Sequence, residues 1–253
     1  MRPDYAARYE EYVNRHWWFR ARRVILRRLL ARYLPSGTPL ILEIGTGPGD
    51  NLYSIYPPGT RLMGLEPDPI NQQKAAARGA VPVYLGRAEE WPAELQAATP
   101  DVVAMFDVLE HVEDDRRLLK NMYGRLAAGG SLFLTVPAYR WLWGAQDEVS
   151  QHRRRYTRGE LTSKLREAGF VVRRSTYFNT ILLPLVALVR LLARLKRSSS
   201  PAVTDFEMNT GCLDPLLYAL FAGENYFLPV MNFPFGVSIF VVADKARPTV
   251  SRP

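Results

Sequence analysis

The stretch LILEIGTGPGDNL, residues 40–52, sets an acid, Glu43, just ahead of three glycines, Gly45, Gly47 and Gly49, which alternate with Thr46 and Pro48. Glycine at this density costs conformational entropy, so the backbone here is expected to approach a ligand closely. A phosphate, a dinucleotide or another nucleoside cofactor would need that approach. A triphosphate cradle requires a lysine and a Ser or Thr after its last glycine, and here Asp50 and Asn51 follow. A dinucleotide fingerprint requires G-x-G-x-x-G; Asp50 occupies its third glycine position and Gly49 stands one residue early. Three histidines, His16, His111 and His152, are the side chains whose ordinary proton affinity lies near neutral pH. The single cysteine, Cys212, rules out an internal disulfide framework and a cysteine zinc cluster, and fits a reducing compartment.

The elements that must position these residues alternate. A helix is expected over 5–34, where Val24, Ile25, Leu29 and Leu30 recur at helical spacing among arginines, and Pro35-Ser36-Gly37 ends it. Strands are expected at 40–44, 61–66 and 81–84, from Asp101 onward, at 131–139 and 170–178, and in GVSIFVVADK near the end. Helices are expected at 50–56, 70–78, 114–126 and 157–170, the last with Thr157 as N-cap and Glu160 at capping-box spacing. Such alternation implies a mainly parallel sheet with helices on both faces and a ligand at the carboxyl ends of its strands. The expected organisation is a helical N-terminal cap (1–36), an α/β core (37–179), an apolar helical insertion (180–232), and a last strand and tail (233–253).

Four stretches together resemble the class I S-adenosylmethionine (SAM) dependent methyltransferases: Glu43 with its three glycines, Glu66 in LMGLEPD, GRAEEWP at 86–92 and FDVLEHV at 106–112. LAAGGSLFLTVPA resembles the family's next helix, double glycine and strand. The resemblance covers residues 40–175 and the last strand. It implies a doubly wound, Rossmann-like seven-stranded sheet of order 3-2-1-4-5-7-6 with an antiparallel last strand, and SAM as cofactor. The implied cofactor residues are Glu43, Gly45, Thr46, Gly47, Gly49, Glu66, Pro67, Ala88, Glu89, Asp107 and Leu109. Glu43 would favour the methionine ammonium and Glu66 the ribose hydroxyls. The usual aspartate of the adenine stretch is Arg87 here, which cannot accept a hydrogen bond. SAM carries no phosphate, which agrees with the missing lysine. HWWFRARR and QDEVSQHRRRYTRGEL resemble a bacterial group similar to the ubiquinone-type methyltransferases and those of surface-polysaccharide and lipid-linked glycan pathways.

Methyl transfer from a sulfonium aligns nucleophile, methyl and sulfur, and an oxygen nucleophile also needs a base. His111 and His152 are the candidate catalytic residues; each could equally be a satisfied structural histidine. His16, Trp17, Trp18, Tyr139, Trp141, Arg154 and Tyr156 are candidate substrate contacts. Tyr139, Trp141 and Trp143 could equally form one face of an extended segment, and Arg153, Arg154 and Arg155 a solvated loop. No metal is expected.

The insertion contains ILLPLVALVRLLARLKR, which Pro184 and Arg190 keep short of a membrane span. Arg190, Arg194 and Arg197 share one helical face, as in a basic amphipathic helix at an anionic membrane surface; a lid or a dimer contact is the alternative. The formal charge of +8 suits an anionic partner without choosing one. The start, with acids and no apolar core, does not read as a secretory signal. The expected function is O-methylation of a small or lipid-linked acceptor, such as a glycan or a quinone-like lipid. The expected location is cytoplasmic, peripheral on the inner membrane face. The rivals are a nucleic-acid methyltransferase, disfavoured because F-D-V-L replaces the family's D/N-P-P-Y/F tetrapeptide; a non-catalytic scaffold of the same fold; and an NAD oxidoreductase, which fails at Asp50.

Overall fold

The computed structural model describes residues 13, 15–195 and 211–247. Seven strands form one sheet of order β3-β2-β1-β4-β5-β7-β6. They are β1 (Leu40–Ile44), β2 (Arg61–Glu66), β3 (Val83–Leu85), β4 (Val102–Phe106), β5 (Ser131–Pro137), β6 (Val171–Phe178) and β7 (Ser238–Asp244). The first five run parallel, and β7 lies antiparallel between β5 and β6. β1, β4 and β5 are almost wholly buried, as continuous apolar strands covered on both faces must be. Ile44 pairs with Leu65 on one side and Met105 on the other. That register brings the glycine run, Glu66 and Asp107 to one edge.

The helices are α1 (Trp17–Tyr33), α2 (Pro69–Ala77), α3 (Asp115–Arg125), α4 (Ala145–Ser150), α5 (Arg158–Glu167), α6 (Leu183–Leu195) and α7 (Asp214–Gly223). The side chains of Asp114 and Thr157 cap α3 and α5 by accepting from Arg117 and Glu160 N–H. Leu118, Leu119 and Met122 of α3 and Leu161 and Leu165 of α5 fill one face of the sheet. On the other face, Ile25, Leu26 and Leu29 of α1 join Phe221 of α7 against Phe133, Phe178 and Phe240. The N-terminal helix and part of the insertion therefore form one structural layer of the core.

Three boundaries differ from expectation. The first helix, expected over 5–34, is interrupted at His16, which is extended and whose Nδ1 accepts from Trp18 N–H as the N-cap of α1; Val13 and Arg15 before it are also helical, and residues 1–12 and 14 lie outside the described residues. Residues 50–56, expected as a helix, form consecutive turns. Tyr53 and Ile55 make helix-like bonds to Gly49 and Asn51, but Pro57 and Pro58 stop propagation. The third strand starts at Val83 because Pro82 has no N–H to donate.

The insertion is tied down by one carboxylate. Glu224 is fully buried and accepts from the backbone N–H groups of Asn179 (2.7 Å), Thr180 (2.6 Å) and Ile181 (2.9 Å), where the chain leaves β6. Asn179 itself has φ 58°. Truncation in Glu224→Ala strands the buried Asn179 N–H and two part-buried donors and is expected to cost about 1–3 kcal/mol in urea unfolding, with Glu224→Gln costing less. Equal stability of Glu224→Ala and wild type would contradict this assignment.

Candidate functional site

A cleft of about 890 Å³ opens at the carboxyl ends of β1, β2 and β4, and Gly45, Thr46, Gly47, Glu66, Pro67, Ala88, Glu89 and Asp107 line it. Gly45 has φ 74°, and a Cβ there would stand 2.5 Å from Val108 Cγ2. Gly47 has φ 54°, and a Cβ there would meet nothing within 4 Å. The first glycine thus seats the loop on the chain after β4, and the second leaves bare backbone facing open space. Gly49 does not line the cleft; a Cβ on it would meet Tyr53 and the Ala75 backbone.

Glu66 Oε2 accepts from Gly47 N–H at 2.7 Å, and Oε1 accepts from Asp68 N–H at 3.1 Å. Burial raises its pKa to about 6, against the pull of those two hydrogen bonds. A carboxylate held at this cleft by two backbone donors suits a diol such as ribose. Arg87 and Glu89 stand on the same wall, Nε to Oε2 at 3.8 Å, so the adenine-side stretch does reach the cleft.

Glu43 and Leu109 are corrections. Glu43 is buried beneath the loop rather than on the cleft wall, and accepts from Tyr56 Oη at 2.6 Å. Burial pushes its pKa to about 8 despite that hydrogen bond and the nearby Arg22. Its place below the loop is set by Tyr56, which the turn at 50–56 brings underneath. Leu109 is fully buried in the core, because the 3₁₀ turn Leu109–His111 points it inward; Val108 and His111 line the cleft instead.

A second cavity, about 250 Å³ and largely apolar, adjoins the cleft. His16, Trp17 and Trp18 line one side, as expected, and Leu182, Val186 and Val189 of the insertion line another. Phe19, Asp107, His111, Ser150 and His152 line both spaces. The two candidate catalytic histidines therefore stand in the partition, ring centroids 4.8 Å apart and edge to face.

Each group in the partition is held from behind. Asp107, with φ 58°, pairs with the buried Arg22 at 2.7 Å and accepts from Thr135 Oγ1 at 3.0 Å. His152 Nδ1 lies 2.8 Å from Asp147 Oδ1. Burial disfavours the Asp147 carboxylate, yet the hydrogen bonds from His152 and Arg155 outweigh it and hold its pKa down near 2. That acceptor fixes the ring by its Nδ1 and turns Nε2 toward Glu110 Oε1, 3.9 Å away. The His111 ring hydrogen-bonds the Gln151 backbone; burial, then the neighbouring His152, lowers its pKa to about 4, so the ring is neutral at pH 7. Glu110 completes the group. It is fully buried, and burial followed by repulsion from Asp107 raises its pKa far above the usual carboxylate range.

Four expected substrate contacts lie elsewhere. Tyr156 is fully buried, with Oη donating to Asp115 Oδ2 at 2.9 Å. Arg154 turns outward to Asp115 (3.0 Å) and the Glu113 carbonyl, while Arg153 reaches the cleft and Arg155 the cavity. Tyr139, turned by its φ of 55°, stacks between Trp141 and Tyr177 outside both spaces, and Trp141 is exposed. The expected basic face of α6 also differs. Arg190 is buried with Nε donating to the Leu142 carbonyl, and Arg194 donates to Trp141 O, because the Arg140–Leu142 turn offers free carbonyls; Arg197 lies outside the described residues. Sequence reasoning missed Arg22, Glu110 and Asn179, whereas Asp147 does pair with one of the three arginines, Arg155, as the sequence allowed. The first was one arginine among six in its helix, and nothing in its spacing set it apart.

Residues 16–175 match the family model described as "Methyltransferase domain". A Mycolicibacterium smegmatis protein named "Probable S-adenosylmethionine-dependent methyltransferase" is 30% identical over 163 residues, 63% of this chain and 62% of that protein. The alignment thus spans under two thirds of that relative. Among solved structures, a methyltransferase activator–methyltransferase complex of Haloferax volcanii aligns with TM-score 0.63 at 18% identity, covering 96% of this chain and 95% of that one. The 4+2 cyclase SpnF aligns with TM-score 0.61 at 16% identity, covering 91% and 83%. Likeness at such identities shows the fold alone, and a cyclase on that fold makes the site the carrier of any activity.

Two outcomes follow from the cleft. Gly47→Ala is expected to lower affinity for S-adenosylhomocysteine at least tenfold in calorimetric titration while keeping most of the melting temperature; Gly45→Ala is expected to lower the melting temperature itself, since its Cβ collides with Val108. The folded state also keeps the Glu43 proton that an unfolded chain releases near its ordinary value of 4.5. Its contribution to stability is therefore full below that pH and is lost as pH rises through about 8. Melting curves of Glu43→Gln across pH 5–9 are expected to show a shallower decline than wild type; identical slopes would refute a protonated Glu43.

Proposed function

The chain belongs to the class I SAM-dependent methyltransferases, with SAM as cofactor, and on that premise we propose that it methylates an oxygen of a small or lipid-linked acceptor at a membrane face. The partition carries the reading: Asp107, His111 and His152 line both the cleft suited to the cofactor and the neighbouring apolar cavity. SAM, when bound, supplies a methyl group on a positively charged sulfur. Glu66 and the bare backbone at Gly47 hold the nucleoside part. Phe19 and Trp18 close the acceptor side against water, and the pair of the buried Arg22 with Asp107 fixes the floor between the two spaces. Proton removal from the acceptor falls to the pair of His111 and His152, whose orientation is set by Gln151 and Asp147.

The class of acceptor follows from α6. Val186 and Val189 face the cavity, Leu188, Leu191, Leu192 and Leu195 face outward with about half or more of their surface exposed, and Leu185 does both. These side chains give an apolar chain an apolar wall leading from the outer face toward the partition. No described helix is long and apolar enough to cross a membrane. The outward leucines suit contact with the surface of a bilayer. A nucleic-acid acceptor is disfavoured, because Arg190, Arg194 and Arg155 are committed to carbonyls or to Asp147.

The test is a partition of label. The protein is incubated with methyl-labelled SAM and bacterial extract including membranes, and the products are separated. Label in the organic-soluble fraction is expected, and label confined to nucleic acid would overturn the reading. The double variant Leu188→Asp/Leu192→Asp is expected to lose most binding in vesicle flotation while retaining S-adenosylhomocysteine affinity. Unchanged flotation would remove α6 from the membrane contact.

A further inference from the structure

We propose that Glu110, His111 and His152 form a site for one divalent transition-metal ion, set in the wall between the cofactor cleft and the acceptor cavity. One ligating atom from each residue lies within 4.8 Å of the others. Coordination at about 2.0–2.2 Å from a shared centre asks these atoms to stand about 3–3.5 Å apart, so modest side-chain rotation closes the set. His152 Nε2 already lies 3.9 Å from Glu110 Oε1.

The second observation is the state of Glu110. It is fully buried, and neither carboxylate oxygen accepts a hydrogen bond from another residue. A buried carboxylate with only its own backbone N–H as a donor is costly unless a proton or a cation neutralises it. The nearby guanidiniums are engaged elsewhere: Arg155 forks onto both oxygens of Asp147 and Arg22 pairs with Asp107. A bound cation would satisfy Glu110 directly.

Third, both histidines are arranged as ligands are. His152 has its Nδ1 on Asp147 and His111 its ring on the Gln151 backbone, so each keeps one ring nitrogen free of those bonds. A carboxylate or carbonyl behind a ligating imidazole fixes its tautomer and aim. Two imidazoles and one carboxylate suit Zn²⁺, Fe²⁺ or Mn²⁺ better than Mg²⁺, and three protein ligands leave positions open, as catalytic sites do. The open positions would face the spaces that Glu110, His111 and His152 line.

What the ion does rests on the methyl-transfer reading. With the ion bound the histidines serve as ligands and not as bases, and an acceptor hydroxyl bound to it would lose its proton to solvent at lower pH than free in water. The oxygen–methyl bond then forms as the sulfur–methyl bond breaks, and the positively charged sulfur leaves as a neutral thioether. The site itself stands on geometry, independent of that reaction.

The test uses the full chain, stripped with chelator and titrated separately with Mn²⁺, followed by electron paramagnetic resonance, and with Zn²⁺, followed by calorimetry. About one equivalent is expected to bind, with at least tenfold weaker binding in Glu110→Gln and in His152→Ala. S-adenosylhomocysteine affinity, measured without metal, is expected to stay within about twofold in Glu110→Gln. No binding to wild type, or equal binding to wild type and Glu110→Gln, overturns the site. Absence of S-adenosylhomocysteine binding with metal binding intact would instead sink the methyl-transfer reading and leave the metal site standing.

Discussion

The pair between the buried Arg22 and the partly exposed Asp107 is the contact on which the rest of the site depends. Arg22 comes from the N-terminal helix, Asp107 from the chain just past β4, and Thr135 from β5; the guanidinium reaches the last two at 2.7 and 2.8 Å. Charges are expensive to bury unless paired and fully hydrogen-bonded, so this contact is a demanding way to attach a helix to a sheet. It does set one geometry. Asp107 is held at a positive φ, the chain behind it turns at once, and Val108, Glu110 and His111 follow in fixed directions. The Gly45 loop then rests on Val108. The glycine loop, the 3₁₀ turn after β4 and the N-terminal helix thus share one anchor.

The N-terminal helix has a further part in the same arrangement. Its first residues, Trp17 and Trp18, line the acceptor cavity, and its middle packs on the strands under the cleft. The Arg22 guanidinium also lies 5.4 Å from the Trp18 ring, which links the cavity wall to the ion pair. Substrate-facing and cofactor-facing surfaces are therefore carried on a single rigid helix instead of on separate loops. That matters for a displacement whose rate depends on alignment to fractions of an ångström.

Much of this was legible in the sequence, for identifiable reasons. Continuous apolar strands bounded by glycine and proline gave β1, β4 and β5, and the motifs after β1, β2 and β4 gave the cleft, because these residues act through local backbone geometry. The histidines were found because their type is rare in this chain. Tyr139, Tyr156 and Arg154 were misplaced for a different reason: which way a loop side chain points depends on partners far away in sequence, such as Asp115 and Tyr177. Glu110 shows the limit most clearly. It lies inside a recognised motif, yet its complete burial without donors is a fact of packing. The arginines of α6 likewise followed helical periodicity, but the carbonyl of Leu142 drew Arg190 inward and that of Trp141 holds the exposed Arg194.

The insertion leaves the sheet and returns to it at one place. Val237 N–H donates to the Asn179 carbonyl, and Gly236 sits so close to Phe178 that a Cβ there would stand 2.4 Å from its carbonyl oxygen. Departure and return are thus clasped side by side at the end of the β6–β7 hairpin. A segment closed off in this way is interchangeable, since its length and sequence can vary without changing any strand's register. It supplies one wall of the acceptor cavity, while the cofactor loop lies on other connections. Descendants of one ancestral enzyme could therefore acquire new acceptors by exchanging this module alone.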